Sequence, residues 1–418
     1  MRTNWAGNVI FTAPDPRTAG TVAEVQSIVA AARQVRVLGS GHSFNDLADS
    51  AAVQLSLQGM NRVLSIDPDR RRVTVQGGIR YGELAPVLHA EGWALKNLAS
   101  LPHISVAGAV ATATHGSGSR IGNLATAVTG LEIVTAGGEV ASLSRDQDGD
   151  RFAGAVVSLG ALGVVTALTL EIEPTYQVRQ NVYTSLPFAV IEGDFDAVFD
   201  AGTSVSVFTD WRGAAAHSVW VKDRVADHEA ASRPDFHGAL PATRKMHPLL
   251  GVDGADCTDQ MGIPGPWHER LPHFRMGFTP SNGAEIQTEY FVPRAAAPEA
   301  VAIMRRHGDR LAPILMTSEL RSVAADDLWL SPGNRGPYVG LHFTFRRDSA
   351  AVRTVLPPIE ADLGSLGAVP HWGKVTTMSP ATIRSRTPRL AAFRDLAQSF
   401  DPEGKFRNAY LRRLFDEA

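Results

Sequence analysis

A single cysteine, Cys257, stands in a chain of 418 residues. One thiol makes no internal disulfide and cannot alone build a zinc site. A reducing, cytoplasmic location fits that usage. Basic runs are equally scarce. The longest is Arg70-Arg71-Arg72, and 40 Lys plus Arg against 43 Asp plus Glu leave a formal net charge of −3. That balance argues against nucleic acid as the main partner and leaves a small neutral substrate open. The first twenty residues hold Trp5, Pro14 and Pro16 but no apolar core of signal-peptide length, so no secretory leader is expected. No two histidines have zinc-ligand spacing, and no metal is expected. Internal repeats and low-complexity tracts are missing too. One uncharged run exists, 153–170, but Gly154, Gly160, Gly163, Ser158, Thr166 and Thr169 interrupt it. It reads as a buried turn followed by a β-branched strand over 163–172, not as a membrane span.

What is present is ordinary globular material in quantity. Hydrophobic residues make up 44% of the chain, and its length exceeds what one core usually serves. Thr21-Val22-Ala23-Glu24 has the form of a capping box opening a helix to about Arg33. Short strands are expected at 35–38, 51–56, 63–66 and 72–76, a helix at 81–92, and a hairpin around Gly137-Gly138. Beyond Pro174 the pattern shifts to strands of period 2 at 204–209, 218–221, 285–292, 316–323 and 338–346. A helix over 298–307, with Pro298 in its first turn and Gly308 past its end, is expected to cover them. The stretch 224–265 reads as long loops, and 388–400 as a helix.

Gly39-Ser40-Gly41-His42-Ser43 follows the 35–38 strand. Glycines after a strand let backbone N–H groups converge on a phosphate. A dinucleotide fingerprint needs a third glycine and an immediate helix, whereas Phe44 and Asn45-Asp46 follow here, so that reading is weak. A tight turn with an incidental histidine is the plain alternative. A second feature bears on it: Ser105 to Gly118 is almost entirely small (Ser-Val-Ala-Gly-Ala-Val-Ala-Thr-Ala-Thr-His-Gly-Ser-Gly). Such a stretch lets a large flat ligand lie against the backbone. It also suits a tightly packed small-residue helix.

Three of the later strands carry polar faces. Alternation puts Thr317, Glu319 and Arg321 on one side of the first, His342 and Thr344 on one side of the second, and Glu285, Gln287 and Glu289 on one side of the third. Buried hydroxyls need partners for one donor and two acceptor sites each, and Glu and Arg supply them. A solvated strand face with a surface ion pair is the competing reading. The remaining histidines, including His103, His115, His371 and those between 217 and 273, read as structural or exposed.

The loop Gly-Ser-Gly-His-Ser, the Ser-Val-Ala-Gly…Thr-His-Gly stretch and the terminal Gly404-Lys405-Phe406 resemble the vanillyl-alcohol-oxidase family of flavoproteins, in its sugar-alcohol branch of alditol and aldonolactone oxidases. The resemblance covers nearly the whole chain, from Asn4-Trp5-Ala6-Gly7-Asn8 onward. It implies an α+β, two-domain vanillyl-alcohol-oxidase (PCMH-type FAD-binding) fold with an antiparallel-sheet substrate domain. The expected division is an FAD domain over 1–175, a substrate domain over 176–374, and a C-terminal segment, 375–418, returning to the first. It implies FAD bonded through its 8-methyl group to His42, which keeps the cofactor in place and raises its potential. The expected cofactor contacts are Val37, Leu38, Gly39, Ser40, Gly41, Ser43, Ser100, Ser105, Val106, Gly108, Thr112, Thr114, His115, Gly116, Gly163, Val164, His371 and Asn408.

Glu319-Leu320-Arg321, His342-Phe343-Thr344 and Pro370-His371-Trp372-Gly373-Lys374 resemble the family's substrate-site segments. Substrate contacts are then expected from Ser100, Gln287, Glu319, Arg321, Thr344 and Lys374, and catalytic roles from His342, Arg321 and Lys374. His342 is the first choice of proton acceptor, Lys374 the second, with Arg321 stabilising developing alkoxide. The implied reaction is oxidation of a terminal polyol hydroxyl by hydride transfer to flavin N5, with O2 reduced to H2O2. A lactone oxidase or a dehydrogenase of the same fold is the alternative. Partners beyond polyol and O2 are not expected, and a monomer is.

Overall fold

The computed structural model describes residues 2–225, 235–278 and 284–415. Three smaller sheets come from the first 174 residues. A parallel three-stranded sheet runs in the order Asp15–Thr18, Val53–Ser56, Val35–Leu38. An antiparallel five-stranded sheet runs Val63–Asp67, Arg72–Gln76, Val164–Glu171, Val128–Val134, Val140–Ser144. A two-stranded pair joins Trp93–Ala94 to Glu173–Pro174. The helix Val22–Ala31 starts at Thr21, whose hydroxyl accepts from the Glu24 N–H. The reciprocal half of the capping box differs from expectation: Glu24 Oε2 accepts from Gly20 N–H, one residue earlier.

The run 153–170 also differs in its first half. Residues 153–156 close the helix Arg145–Val156, and only 164–170 belong to a strand. Ala153, Gly154, Ala155 and Val156 are all buried there, so local glycine propensity gives way to tertiary packing.

The later residues build one nine-stranded sheet. Its order is Leu240–Pro241, Gln177–Pro187, Ala215–Arg224, Ser204–Thr209, Leu315–Val323, Tyr338–Arg346, Glu285–Pro293, Val369–Pro370, with Gly265–Pro266 also pairing with Gln177–Pro187. Every pairing is antiparallel. One face is apolar: Leu320, Leu341, Phe343, Phe345, Ile286 and Tyr290 form a single core with the helices Ala297–Arg306 and Ser349–Gly364. Ala297–Arg306 buries Ala297, Ala300, Val301, Ile303 and Met304, each large aliphatic contributing about 1.5–3 kcal/mol. The 349–364 helix is not evident from the sequence because Pro357 and Pro358 lie inside it. Within the 224–265 stretch, 226–234 lie outside the described residues; 235–264 contain little regular structure beyond Leu240–Pro241.

The C-terminal residues pack back on the earlier sheets. Lys405 Nζ donates to Val29 O and Ala136 O, both at 2.8 Å. Asn408 Nδ2 reaches the carbonyls of Asp46, Leu47 and Asp49. Phe393, Phe400, Leu411 and Phe415 join the core of the first sheets. Arg36, 3% exposed, completes the tie: its guanidinium donates to the carbonyls of Leu47, Leu159, Gly160 and Phe406. These bonds fix the strand that delivers the glycine loop. No helix among the described residues is long and apolar enough to cross a membrane.

Candidate active site

One cavity of about 320 Å³ extends from the glycine loop to the polar face of the nine-stranded sheet. On the loop side it is walled by backbone. Gly41 has φ +72°. A Cβ on Gly39 would sit 2.5 Å from Ser105 Oγ, and one on Gly78 only 1.8 Å from Leu57 O, so side chains there would fill space the backbone needs. The small-residue stretch satisfies both of its readings at once. Val106–Ala111 is a short helix, and Ser105, Gly108, Thr112, Thr114 and His115 line the cavity.

His42 occupies this wall in an unusual state. Its ring stacks on Trp5 at 4.4 Å with planes 21° apart. Both ring nitrogens are sealed from solvent and lack a hydrogen-bond partner among the described residues. Buried polar atoms in folded proteins are almost always paired, and an imidazole without such a partner on a cavity wall is free to bond a group held there. Burial, reinforced by neighbouring His103, pushes its pKa down to about 4, which keeps the ring neutral and its lone pair available.

The sheet side is charged, and strand register explains how. One rung carries Phe208, Glu319, His342 and Glu289 side by side; the next carries Ser206, Arg321 and Gly340. Glu319 and Arg321 are 5% and 6% exposed, which excludes the solvated-face reading. Arg321 Nε donates to Glu319 Oε1 at 2.5 Å, and Arg321 Nη2 to Ser100 Oγ at 2.5 Å. A second assembly lies alongside. Lys374 Nζ is 2.6 Å from Glu289 Oε2 and 2.7 Å from His342 Nδ1. His115 Nε2 meets Glu289 Oε1 at 3.0 Å, and His342 Nε2 meets Thr344 Oγ1 at 3.0 Å. Gly340 makes room for this: a Cβ there would lie 2.9 Å from Glu289 Oε1.

The electrostatics follow from these contacts. Burial alone would raise the Glu289 carboxyl; Lys374 and His115 outweigh it and hold the group well below the usual range. Glu319 is likewise held low against burial, by Arg321 and His273. Burial and the Lys374 charge lower His342 and push His371 down to about 3. The site therefore presents ionised carboxylates, an arginine and neutral imidazoles within one hydrogen-bonded wall.

Most residues expected from the sequence meet here. Val37, Leu38, Gly39, Ser40, Gly41, His42, Ser43, Ser100, Ser105, Gly108, Thr112, Thr114, His115, Gly163 and His371 line the cavity, as do Gln287, Glu319, Arg321, His342, Thr344 and Lys374. Four do not. Val106 and Val164 are wholly buried in hydrophobic cores. Gly116 packs under Leu98 and Asn97, where a Cβ would lie 2.5 Å from Leu98 O. Asn408 spends its amide on the 46–49 turn.

Two further residues of this wall, Glu289 and His273, are missed by sequence reasoning. Glu289 shares its strand face with Gln287 and was visible only as part of the polar pattern. His273, read as structural, places Nε2 2.9 Å from Glu319 Oε1 and 2.6 Å from Arg321 Nη2. It comes from an irregular segment, where no periodicity announces direction. Among the described residues no group of three metal-ligating side chains occurs.

Comparison with known proteins agrees with this geometry. Residues 17–144 match the family model of an FAD binding domain, and residues 281–414 that of D-arabinono-1,4-lactone oxidase. The chain is 50% identical to an alditol oxidase of Streptomyces sp. over 99% of both chains. It is 29% identical to an L-gulono-1,4-lactone dehydrogenase of Mycobacterium tuberculosis over 98% of both. The crystal structure of cholesterol oxidase from B. sterolicum superposes with a TM-score of 0.80 at 14% identity, covering 99% of this chain and 96% of that one, a likeness of fold alone. The orphan imidazole and the glycine-walled cavity fit FAD. The chain belongs to the alditol oxidase family of vanillyl-alcohol-oxidase-type, FAD-binding flavoproteins.

Proposed function

We propose that this chain oxidises the terminal hydroxyl of small alditols such as xylitol and sorbitol, using FAD tethered through His42 and releasing H2O2. The observation that carries the reading is the buried polar wall: two charge-balanced assemblies, Ser100–Arg321–Glu319 and Glu289–Lys374–His342, on neighbouring strands opposite the glycine loop. An open-chain polyol offers a row of hydroxyls, and this wall offers a matching row of donors and acceptors. When bound, FAD would supply the hydride acceptor and the route by which the electrons reach O2.

The protein's part is to bind, orient and take a proton. Arg321 donates to one hydroxyl while Glu319 accepts from its neighbour. Lys374 Nζ donates to His342 Nδ1 at 2.7 Å, and a substrate hydroxyl that takes over this contact would accept from Lys374 and donate to the imidazole. His342, kept neutral by burial and Lys374, accepts the proton, and Glu289 balances the resulting charge. Thr344, on His342 Nε2, fixes the ring. The covalent tether is supported by the unpartnered, neutral His42 ring. A cytoplasmic monomer is part of the same proposal.

The match of 281–414 to a lactone-oxidase model favours a second reading, in which the substrate is an aldonolactone. Peroxide release measured on xylitol, sorbitol and galactonolactone separates the two. Turnover of the polyols with weak activity on lactone is expected; a preference for lactone by kcat/KM overturns the first reading.

A further inference from the structure

Behind the substrate wall lies a buried lysine that the proposed reaction does not use. Lys222 sits on the strand Ala215–Arg224 and is 1% exposed. Alternation sends Val219 and Val221 into the apolar core, while Trp220 packs on the cavity side of the sheet and Lys222 shares its direction. No carboxylate pairs with Lys222 among the described residues. Its ammonium meets three acceptors instead: Leu271 O at 2.5 Å, Pro272 O at 3.2 Å and His273 Nδ1 at 3.1 Å. Three N–H donors on three acceptors is the full complement of a lysine.

Those acceptors belong to the segment that supports the site. His273 N–H donates to Ser100 O at 3.0 Å, and Ser100 Oγ is the acceptor of Arg321. The His273 ring is clamped edge-on by Phe208 and Trp220, with centroids 5.4 and 5.1 Å away. Burial and the Lys222 charge push its pKa down to about 3, so the ring carries one N–H. Burial and the Arg321 charge also pull Lys222 well down, with Glu319 opposing. An imidazole accepting at Nδ1 must carry its proton on Nε2, where Glu319 Oε1 lies at 2.9 Å. Arg321 Nη2, a donor 2.6 Å from the same nitrogen, would suit the other tautomer, but that tautomer would set a lone pair against the Glu319 carboxylate and an N–H against the Lys222 ammonium, so two of the three contacts favour Nε2–H.

We infer that Lys222 and His273 are positioning residues: Lys222, by donating to His273 Nδ1, keeps the His273 Nε2–H on Glu319 and so holds Glu319 and Arg321 in their substrate-binding orientation. The arrangement is the same relation that a buried second group has to a catalytic imidazole elsewhere, with the tautomer set by what the far nitrogen meets. The inference rests on the polyol reading of the cavity only for its kinetic consequence; the tautomer itself does not depend on the substrate.

The test uses the flavin-loaded protein with Lys222→Met, His273→Leu and His273→Gln, the last keeping an N–H at the reach of Nε2. ¹⁵N-histidine NMR reads the His273 tautomer, and steady-state kinetics on xylitol separate KM from kcat. Wild type should show Nε2–H. Lys222→Met should lose that single tautomer and raise KM by about tenfold or more, the worth of one hydrogen bond to a charged group, with a smaller change in kcat. His273→Leu should raise KM likewise, and His273→Gln should recover most of that loss. An Nδ1–H ring in wild type, or a Lys222→Met protein with unchanged tautomer and KM, overturns the inference. If wild type oxidises no polyol, the functional reading fails, and the NMR arm alone decides this one.

Discussion

Changing Glu289 to Gln removes one charge at constant shape. Glu289 is 3% exposed, with Oε2 at 2.6 Å from Lys374 Nζ and Oε1 at 3.0 Å from His115 Nε2. Breaking a buried ion pair costs about 3–5 kcal/mol because the surviving charge loses its counterion. The Lys374 side chain retains 16% exposure, so water screens part of that, and about 3 kcal/mol is the expected loss. The carboxylate also raises the proton affinity of His342 against burial and Lys374. Without it the ring accepts a proton less readily, and the rate of flavin reduction should fall about 100-fold, the equivalent of roughly two pKa units. Stopped-flow reduction by anaerobic xylitol reads that rate directly. The stability term has a defined pH course. The folded Glu289 pKa is depressed, so its contribution is full above the unfolded value of about 4.3 and fades as pH falls through the folded value. Urea midpoints of wild type and variant should therefore differ at pH 7 and converge in acid. Equal reduction rates would refute the reasoning, as would a stability gap that persists unchanged at low pH.

Other outcomes follow from the same geometry. His42→Ala should fold and still bind FAD, but acid precipitation should leave the yellow colour in the supernatant rather than the pellet. Gly340→Ala puts a Cβ 2.9 Å from Glu289 Oε1 and 3.2 Å from His115 Cε1; overpacking of this kind costs about 1–3 kcal/mol, read as a lower thermal midpoint together with slower turnover. Arg36→Met strips the donors from the carbonyls of Leu47, Leu159, Gly160 and Phe406. Each buried carbonyl left unsatisfied costs about 1–3 kcal/mol, Leu47 O excepted because Asn408 Nδ2 also reaches it, so the variant should be strongly destabilised and purify with less than one flavin per chain.

The parts of the molecule that were legible in the sequence are those governed by local rules. Strands such as Arg72–Gln76, Ser204–Thr209 and Tyr338–Arg346 show period 2 with β-branched and aromatic residues, and their bounds coincide with expectation. Alternation also assigned Thr317, Glu319 and Arg321 to one face without any knowledge of what that face meets. What stayed hidden is set by long-range packing. The helix Ser349–Gly364 carries two interior prolines, and its buried Val352, Leu356, Ile359 and Leu363, with Glu360 accepting from the Tyr290 hydroxyl, hold it against the sheet. His273 and Lys222 come together across 51 residues through an irregular segment. Val164 and Asn408 sit beside cofactor-wall segments in sequence yet serve the core and the 46–49 turn. Sequence proximity to a motif does not say which way a side chain faces.

The central claim is that a flavin on the glycine-loop wall accepts hydride from a polyol on the charged strands. The visible spectrum of the purified protein, recorded before and after anaerobic addition of xylitol, tests it most directly. The account predicts an oxidised flavin spectrum that bleaches on adding xylitol and returns on admitting air, with H2O2 formed. A flavin that stays oxidised under xylitol, while galactonolactone bleaches it or nothing does, would contradict the account.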